Sequence, residues 1–282
     1  MGERARAAAR AAALAAVVLV GLTACLPGWD GAGHGCRRHR SGCTWTTTVT
    51  GERKVSLLYR QGLARVDDGW IFTFNNALFR TGDDLTETLV RANAIPPELT
   101  AEGYDHIGDP DLYRGLLWVP LEQPTYATGV QRTARYDPVT LEYVDSVEVP
   151  QHHNAFASVD RGVLYSADEF RDDTLLRYRV VGDRLVPLRP LPMSRTVQRI
   201  QGADVWGGAI WLSTDDATNG VYRVDLRTGD VTDVGSMGHV AGEGEGIDAT
   251  PLASGQLHAL TGDETSLDMW LVDLRAEVSR QH

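Results

Sequence analysis

Along this chain, hydrophobic and polar positions alternate in short runs broken by turn residues, and the alternation predicts β-strands rather than helices. One phrase recurs: a glycine, then Ile or Leu two places on and a ring three places on. It reads Gly69-Trp-Ile-Phe, Gly115-Leu-Leu-Trp, Gly162-Val-Leu-Tyr, Gly208-Ala-Ile-Trp and Gly255-Gln-Leu-His. The strand before each glycine is expected to be the innermost of a unit, and the phrase itself the second. A third strand alternates, as in Tyr222-Arg-Val-Asp225 or Arg177-Tyr-Arg179. A fourth follows a polar turn such as Arg227-Thr-Gly-Asp230. Asn219-Gly220 marks a hairpin between second and third strands, because both residues tolerate positive φ. Beyond the N-terminal segment, no stretch carries a 3.6-residue period.

The five glycines stand 46, 47, 46 and 47 residues apart. A constant period of this size, filled by short strands, predicts an all-β fold, a β-propeller with one four-stranded blade per repeat. The repeated ring is expected to fill the wedge between blades, where burial of each is worth roughly 1.5–3 kcal/mol. Blade five runs out of sequence before its outer strand. Lys54-Val-Ser-Leu-Leu58 lies unassigned before blade one and can supply it, closing the ring and covering an exposed edge. Trp45–Thr50 alternatively adds to a sixth, irregular sheet.

Composition changes the picture at the N-terminus. Arg4, Arg6 and Arg10 precede an apolar run from Ala11 to Ala24, too short for the about 20 residues a spanning helix needs. The run ends in Leu22-Thr23-Ala24-Cys25, which resembles the lipobox of bacterial lipoproteins. That resemblance implies cleavage before Cys25, its lipidation, and residence on the extracytoplasmic face of a bacterial cell membrane. Residues 1–24 are then a lipoprotein signal peptide, 25–44 a Gly- and Arg-rich tether, 45–275 the propeller and 276–282 a polar tail. With Cys25 lipidated, Cys36 and Cys43 remain as a disulfide pair suited to an oxidising compartment. The formal charge of −11 becomes −13 without Glu3 and the three leader arginines, so no nucleic-acid partner is expected. A monomer that meets the membrane only through its anchor is expected.

Only the starts of the inner strands, and the loops leading into them, can face a propeller's mouth. Counting back from the glycines gives Gln61-Gly62, Asp105-His106-Ile-Gly-Asp109, His152-His153-Asn154, Gln198-Arg199-Ile-Gln201 and Glu243-Gly-Glu245-Gly-Ile-Asp248. All five carry polar groups, so Gln61, Asp105, His106, Asp109, His152, His153, Asn154, Arg199, Gln201, Glu243, Glu245 and Asp248 are the candidate ligand-binding residues. His106 and His153 (or His152) with Glu245 offer a nitrogen and oxygen set for zinc. Asp105, Asp109 and Glu243 with backbone carbonyls suit calcium. The bland alternative is that these groups satisfy one another and bound water. The glycines of Gly242–Gly246 are read as a tight lead placing Glu245 near the axis, and Asp215-Asp216 as a solvated turn. No Gly-x-Ser-x-Gly elbow, His-Glu-x-x-His helix or Cys-x-x-Cys pair is present.

Two enzyme families are similar in layout. Gln61-Gly62-Leu63 leading into blade one resembles bacterial glutamine cyclotransferases, five-bladed propellers, and that likeness implies cyclisation of N-terminal glutamine. Gluconolactonase-like propellers, which hold a divalent metal in the channel, are a comparable analogy. The sequence therefore leads to a lipid-anchored propeller binding a ligand or protein at its mouth. A metal-dependent hydrolase or lactonase at the His/carboxylate site is the alternative, and a glutamine cyclotransferase-like enzyme the second.

Overall fold

The computed structural model describes residues 43–125, 130–168, 172–263 and 266–280. The expected signal peptide, Cys25, Cys36 and nearly all of the expected tether lie outside these residues. Five antiparallel sheets form the ring of a five-bladed β-propeller. Blade one comprises Gly62–Val66, Gly69–Phe74, Ala77–Gly82 and Glu87–Ala92, counted from the axis outward. Blade four follows the same plan with Ile200–Trp206, Ala209–Thr214, Gly220–Asp225 and Val231–Ser236. Blade three starts at Ser158–Asp160, and its third strand, Thr174–Val181, is edged by both Arg184–Pro187 and Leu191–Pro192.

The recurring glycines sit in the hairpin between inner and second strands. Gly115 and Gly162 have φ of 77° and 76°, and each follows an arginine that is also at positive φ, Arg114 and Arg161. Two consecutive positive-φ residues match the right-handed twist of the strands they join. In blades two, three and four the marker glycine, Gly115, Gly162 or Gly208, is the second residue of a two-residue turn; Gly69 opens the second strand of blade one, and Gly255 ends the short 3-10 helix before that of blade five.

The ring residues pack between blades as expected. Phe72 and Trp70 meet Leu260 and Leu271 of blade five, Trp118 meets Val159 and Leu164 of blade three, and Trp211 meets Leu257 and Val272. Trp45 stands edge-on to Trp211 at 5.3 Å between centroids.

Closure is by an N-terminal strand, but a longer one than the pattern suggested. Blade five is Gly244–Asp248, Gln256–Asp263, Asp268–Arg280 and the chain's own Cys43–Val55. Cys43 pairs with Arg280 and Val55 with Met269. Trp45–Thr50 therefore belongs to this closing strand and makes no sixth sheet, while Ser56–Leu58 turns toward blade one. Pairing also carries the last strand past residue 275, because Val278 packs against the cluster that buries Trp45. The closing strand begins on the hairpin face of the ring and ends on the opposite one. Cys43 at its start is disulfide-bonded, and Cys36, its expected partner, lies outside the described residues.

Blade two breaks the pattern at its inner strand. His106–Ile107 and Asp111–Tyr113 are separated by Gly108-Asp109-Pro110. Pro110 lacks an N–H to donate, and Asp109 leaves the sheet to form a parallel bridge with Phe156 of blade three.

Candidate functional site

Where the inner strands begin, the five blades surround a cavity of about 510 Å³. Each blade contributes: Gln61 from the first, His106 and Glu122 from the second, His153 and Asp168 from the third. Arg199, Gln201 and Asp215 come from the fourth, and Glu243 and Glu245 from the fifth. Seven of the twelve candidates line this mouth: Gln61, His106, His153, Arg199, Gln201, Glu243 and Glu245.

The other five serve different ends. Asp105 is exposed beside the mouth. His152 is exposed, and its backbone N–H donates to Asp168 Oδ2 at 3.2 Å. Asn154 is fully buried; its N–H donates to Glu122 Oε1 and its amide to the Arg132 carbonyl at 2.8 Å, so it orients Glu122. Asp248 is buried below the mouth and accepts from the Arg65 N–H at 2.5 Å.

Asp109 is the hub of the ring. Its Oδ1 accepts from the Leu63 N–H at 3.0 Å, and its Oδ2 from those of Ala203 and Ile247 at 3.0 and 3.4 Å. Its own N–H donates to the Ala155 carbonyl, and its carbonyl accepts from Ala157. One residue of blade two is thereby bonded to all four other blades. The carboxylate fits because glycines surround it: a Cβ on Gly246 would stand 2.2 Å from Asp109 Oδ1, and one on Gly202 2.7 Å from Oδ2. Below it, Asp111, Asp204 and Asp248 each accept a backbone N–H from the next blade, those of Val159, Ala249 and Arg65. Burial pushes all four carboxyls up, Asp111 to about 7.

Four acidic mouth residues escaped the sequence reading, Glu122, Asp168, Asp172 and Asp215. All but Asp172 stand at the far end of a second strand, which returns to the mouth from the hairpin face. A signal existed: Glu122, Asp168 and Asp215 lie 46 and 47 residues apart, the same period as the glycines. Asp215 is not a solvated turn residue. It is buried, lines the mouth and forms an ion pair with Arg199, because the Asp215 N–H donates to the Arg199 carbonyl at 2.9 Å and holds the two together. Asp216, next to it, caps the turn by accepting from Thr218 and Gly220.

The mouth has two chemically distinct walls. On one, His153 Nε2 and His106 Nε2 lie 3.5 and 3.9 Å from the oxygens of Glu122. Burial lowers the His106 imidazole against the opposing pull of Glu122. On the other, burial first and Glu243 second raise the Glu245 carboxyl well above the usual range. Glu243 is paired with Arg60 at 2.8 Å. The histidines thus converge on Glu122 and not on Glu245. Among the described residues, no group of three or more His, Cys, Asp or Glu side chains is arranged to hold a metal ion.

No protein-family model matches this sequence, and no curated protein matches it. Among solved structures, a luciferin-regenerating enzyme is similar with a TM-score of 0.51 at 11% identity, over 77% of this chain and 76% of that one. Hydrazine synthase from Kuenenia stuttgartiensis follows at 0.45 and 9%, over 74% and 57% of the two chains. BamB from Moraxella catarrhalis follows at 0.40 and 9%, over 77% and 59%. The first likeness supports the propeller fold and nothing finer.

Proposed function

We propose that this chain is a lipid-anchored extracytoplasmic propeller that binds a small polar ligand at its mouth, with preference for one bearing a positive charge. The observation that carries the reading is the cavity itself. Its size falls within the roughly 300–1,000 Å³ usual for ligand pockets, and its polar groups come from every blade. Six carboxyl side chains line it (Glu122, Asp168, Asp172, Asp215, Glu243 and Glu245) against one guanidinium, Arg199. Attraction of an ammonium group is strengthened in such a walled site, where the local dielectric is below that of water. The anchor rests on the sequence before Cys25. It is compatible with ligand access, since the closing strand starts at Cys43 on the face opposite the mouth.

A hydrolase working at the same mouth is the second reading. It is favoured by Glu245, whose carboxyl burial and then Glu243 hold well above the usual range, so that two carboxyls in different surroundings share one pocket. One experiment addresses both. Small amines, amino sugars and their uncharged analogues are titrated calorimetrically into the protein, and the mixtures are analysed by mass spectrometry. Binding of an ammonium compound, weakened at least about tenfold (1.4 kcal/mol) in Glu122→Gln, supports the ligand reading. Conversion of the compound supports the enzyme. Binding unaffected by Glu122→Gln, or absent across the series, overturns the mouth assignment.

A further inference from the structure

On the hairpin face, where blade five closes onto blade one, a second cavity of about 340 Å³ opens. Arg53 of the closing strand, Arg65 and Trp70 of blade one, and His258 and Asp273 of blade five line it, together with Asp83. The closing strand contributes Arg53 to the lining, so the cavity lies at the seam where the ring is closed.

Its chemistry is built around the Trp70 ring. The Arg65 guanidinium lies 4.7 Å and that of Arg53 5.8 Å from the ring, and His258 stands edge-on to it at 4.7 Å. The two carboxylates are already engaged. Asp273 accepts from Arg53 at 3.4 Å and contacts His258 Nδ1 at 2.8 Å, while Asp83 pairs with Arg65 at 2.6 Å.

Donors outnumber acceptors here. Trp70 is 2% exposed, yet its Nε1–H has no acceptor, and neither has the buried Nε–H of Arg53. A buried donor without a partner is uncommon and calls for an explanation. Each guanidinium carries five N–H groups in a fixed fork suited to a planar or tetrahedral oxyanion. The Asp83 carboxylate that meets Arg65 is 67% exposed, so that pair is solvent-screened and exchangeable.

From this surplus of donors we infer a second binding site, independent of the mouth, that takes a small oxyanion of the phosphate type between Arg53, Arg65 and Trp70. The oxyanion exchanges with Asp83 at Arg65 and supplies the acceptor that Trp70 and Arg53 lack. The face is the one on which the closing strand begins, so a free phosphate and a phospholipid headgroup are the two sources of this chemistry.

Inorganic phosphate is titrated calorimetrically into the full chain at constant ionic strength, with chloride as the balancing ion. Saturable one-to-one binding is expected. It should weaken at least tenfold in Arg65→Gln and in Arg53→Gln, and less in Arg65→Lys, which keeps the charge without the fork. The urea-unfolding midpoints of these variants should stay close to that of the parent protein, which shows that they are folded. A second arm measures sedimentation of the chain lacking residues 1–25 with phosphatidylglycerol or phosphatidylcholine vesicles. Retention on the former alone, lost in Arg65→Gln, identifies the headgroup as the source; no retention, with phosphate bound in solution, identifies the free anion. Binding of neither phosphate nor phosphatidylglycerol vesicles, or binding untouched by both arginine substitutions, overturns the site.

Discussion

Two buried carboxyls stand near the axis of this ring, and they have opposite fates. Asp109 is fully enclosed, and three backbone N–H groups from three other blades occupy its oxygens. Glu245 is 5% exposed and lines a cavity in which its neighbour is another carboxyl. Both have raised affinity for a proton because both are out of water. Only Glu245 stands where a ligand can reach it. The difference lies in the glycines. Gly62, Gly202 and Gly246 let three inner strands close around Asp109, whereas one residue earlier the same strands carry Gln61, Gln201 and Glu245 and spread into the mouth. A buried acid in this fold is structural when backbone donors consume it and available for binding when they do not.

The sharpest way to break the comparison is Asp109→Ala. It orphans three N–H groups and leaves a void where the blades meet, at about 1–3 kcal/mol for each orphaned donor. A loss of about 3–5 kcal/mol in urea unfolding is expected, against less than about 1 kcal/mol for Glu245→Gln. Equal losses would show that both acids hold the ring together.

Gly246→Ala tests the closeness of packing. Its Cβ would stand 2.6 Å from Gly62 Cα as well as against Asp109, and overpacking of this kind costs about 1–3 kcal/mol. A midpoint unchanged from the parent protein would mean that the hub yields easily, and that glycine is not what closes it.

The smallest effect concerns pH. The Asp111 carboxyl is held up to about 7 by burial, and by Asp248 beside it, whereas in the unfolded chain it titrates near 4. Between these values the native state keeps a proton that the unfolded chain has lost. The stability from this group is therefore complete below about pH 4 and is lost as pH rises through about 7. The melting temperature should fall between pH 5 and pH 7.5, and Asp111→Asn should flatten that fall by about 1 kcal/mol. A slope identical in the variant would remove Asp111 as its source.

Much of the ring was legible because its signal is local. A tight hairpin needs positive φ at fixed positions, so Gly115 and Gly162 recur in register with the turns they make. The mouth was legible in part for the same reason, since each inner strand begins a constant distance before its glycine. Glu122, Asp168 and Asp215 sit on the return strand, and their shared period becomes meaningful only once that strand is known to end beside the first. The closing strand was recognised as a need of blade five, but its extent was set by pairing partners more than two hundred residues away, such as Cys43 with Arg280.

What the residues determine unaided is the repeat: hairpin turns, alternating strands, an interleaved ring series, and hence five blades. Tertiary structure alone decided which polar groups face the mouth and which lock the hub. Asp109 bonds to Ala203 and Ile247 across 94 and 138 residues of chain. Such contacts arise because closure of the ring brings every inner strand to one axis, and no pattern within a single repeat records that neighbourhood.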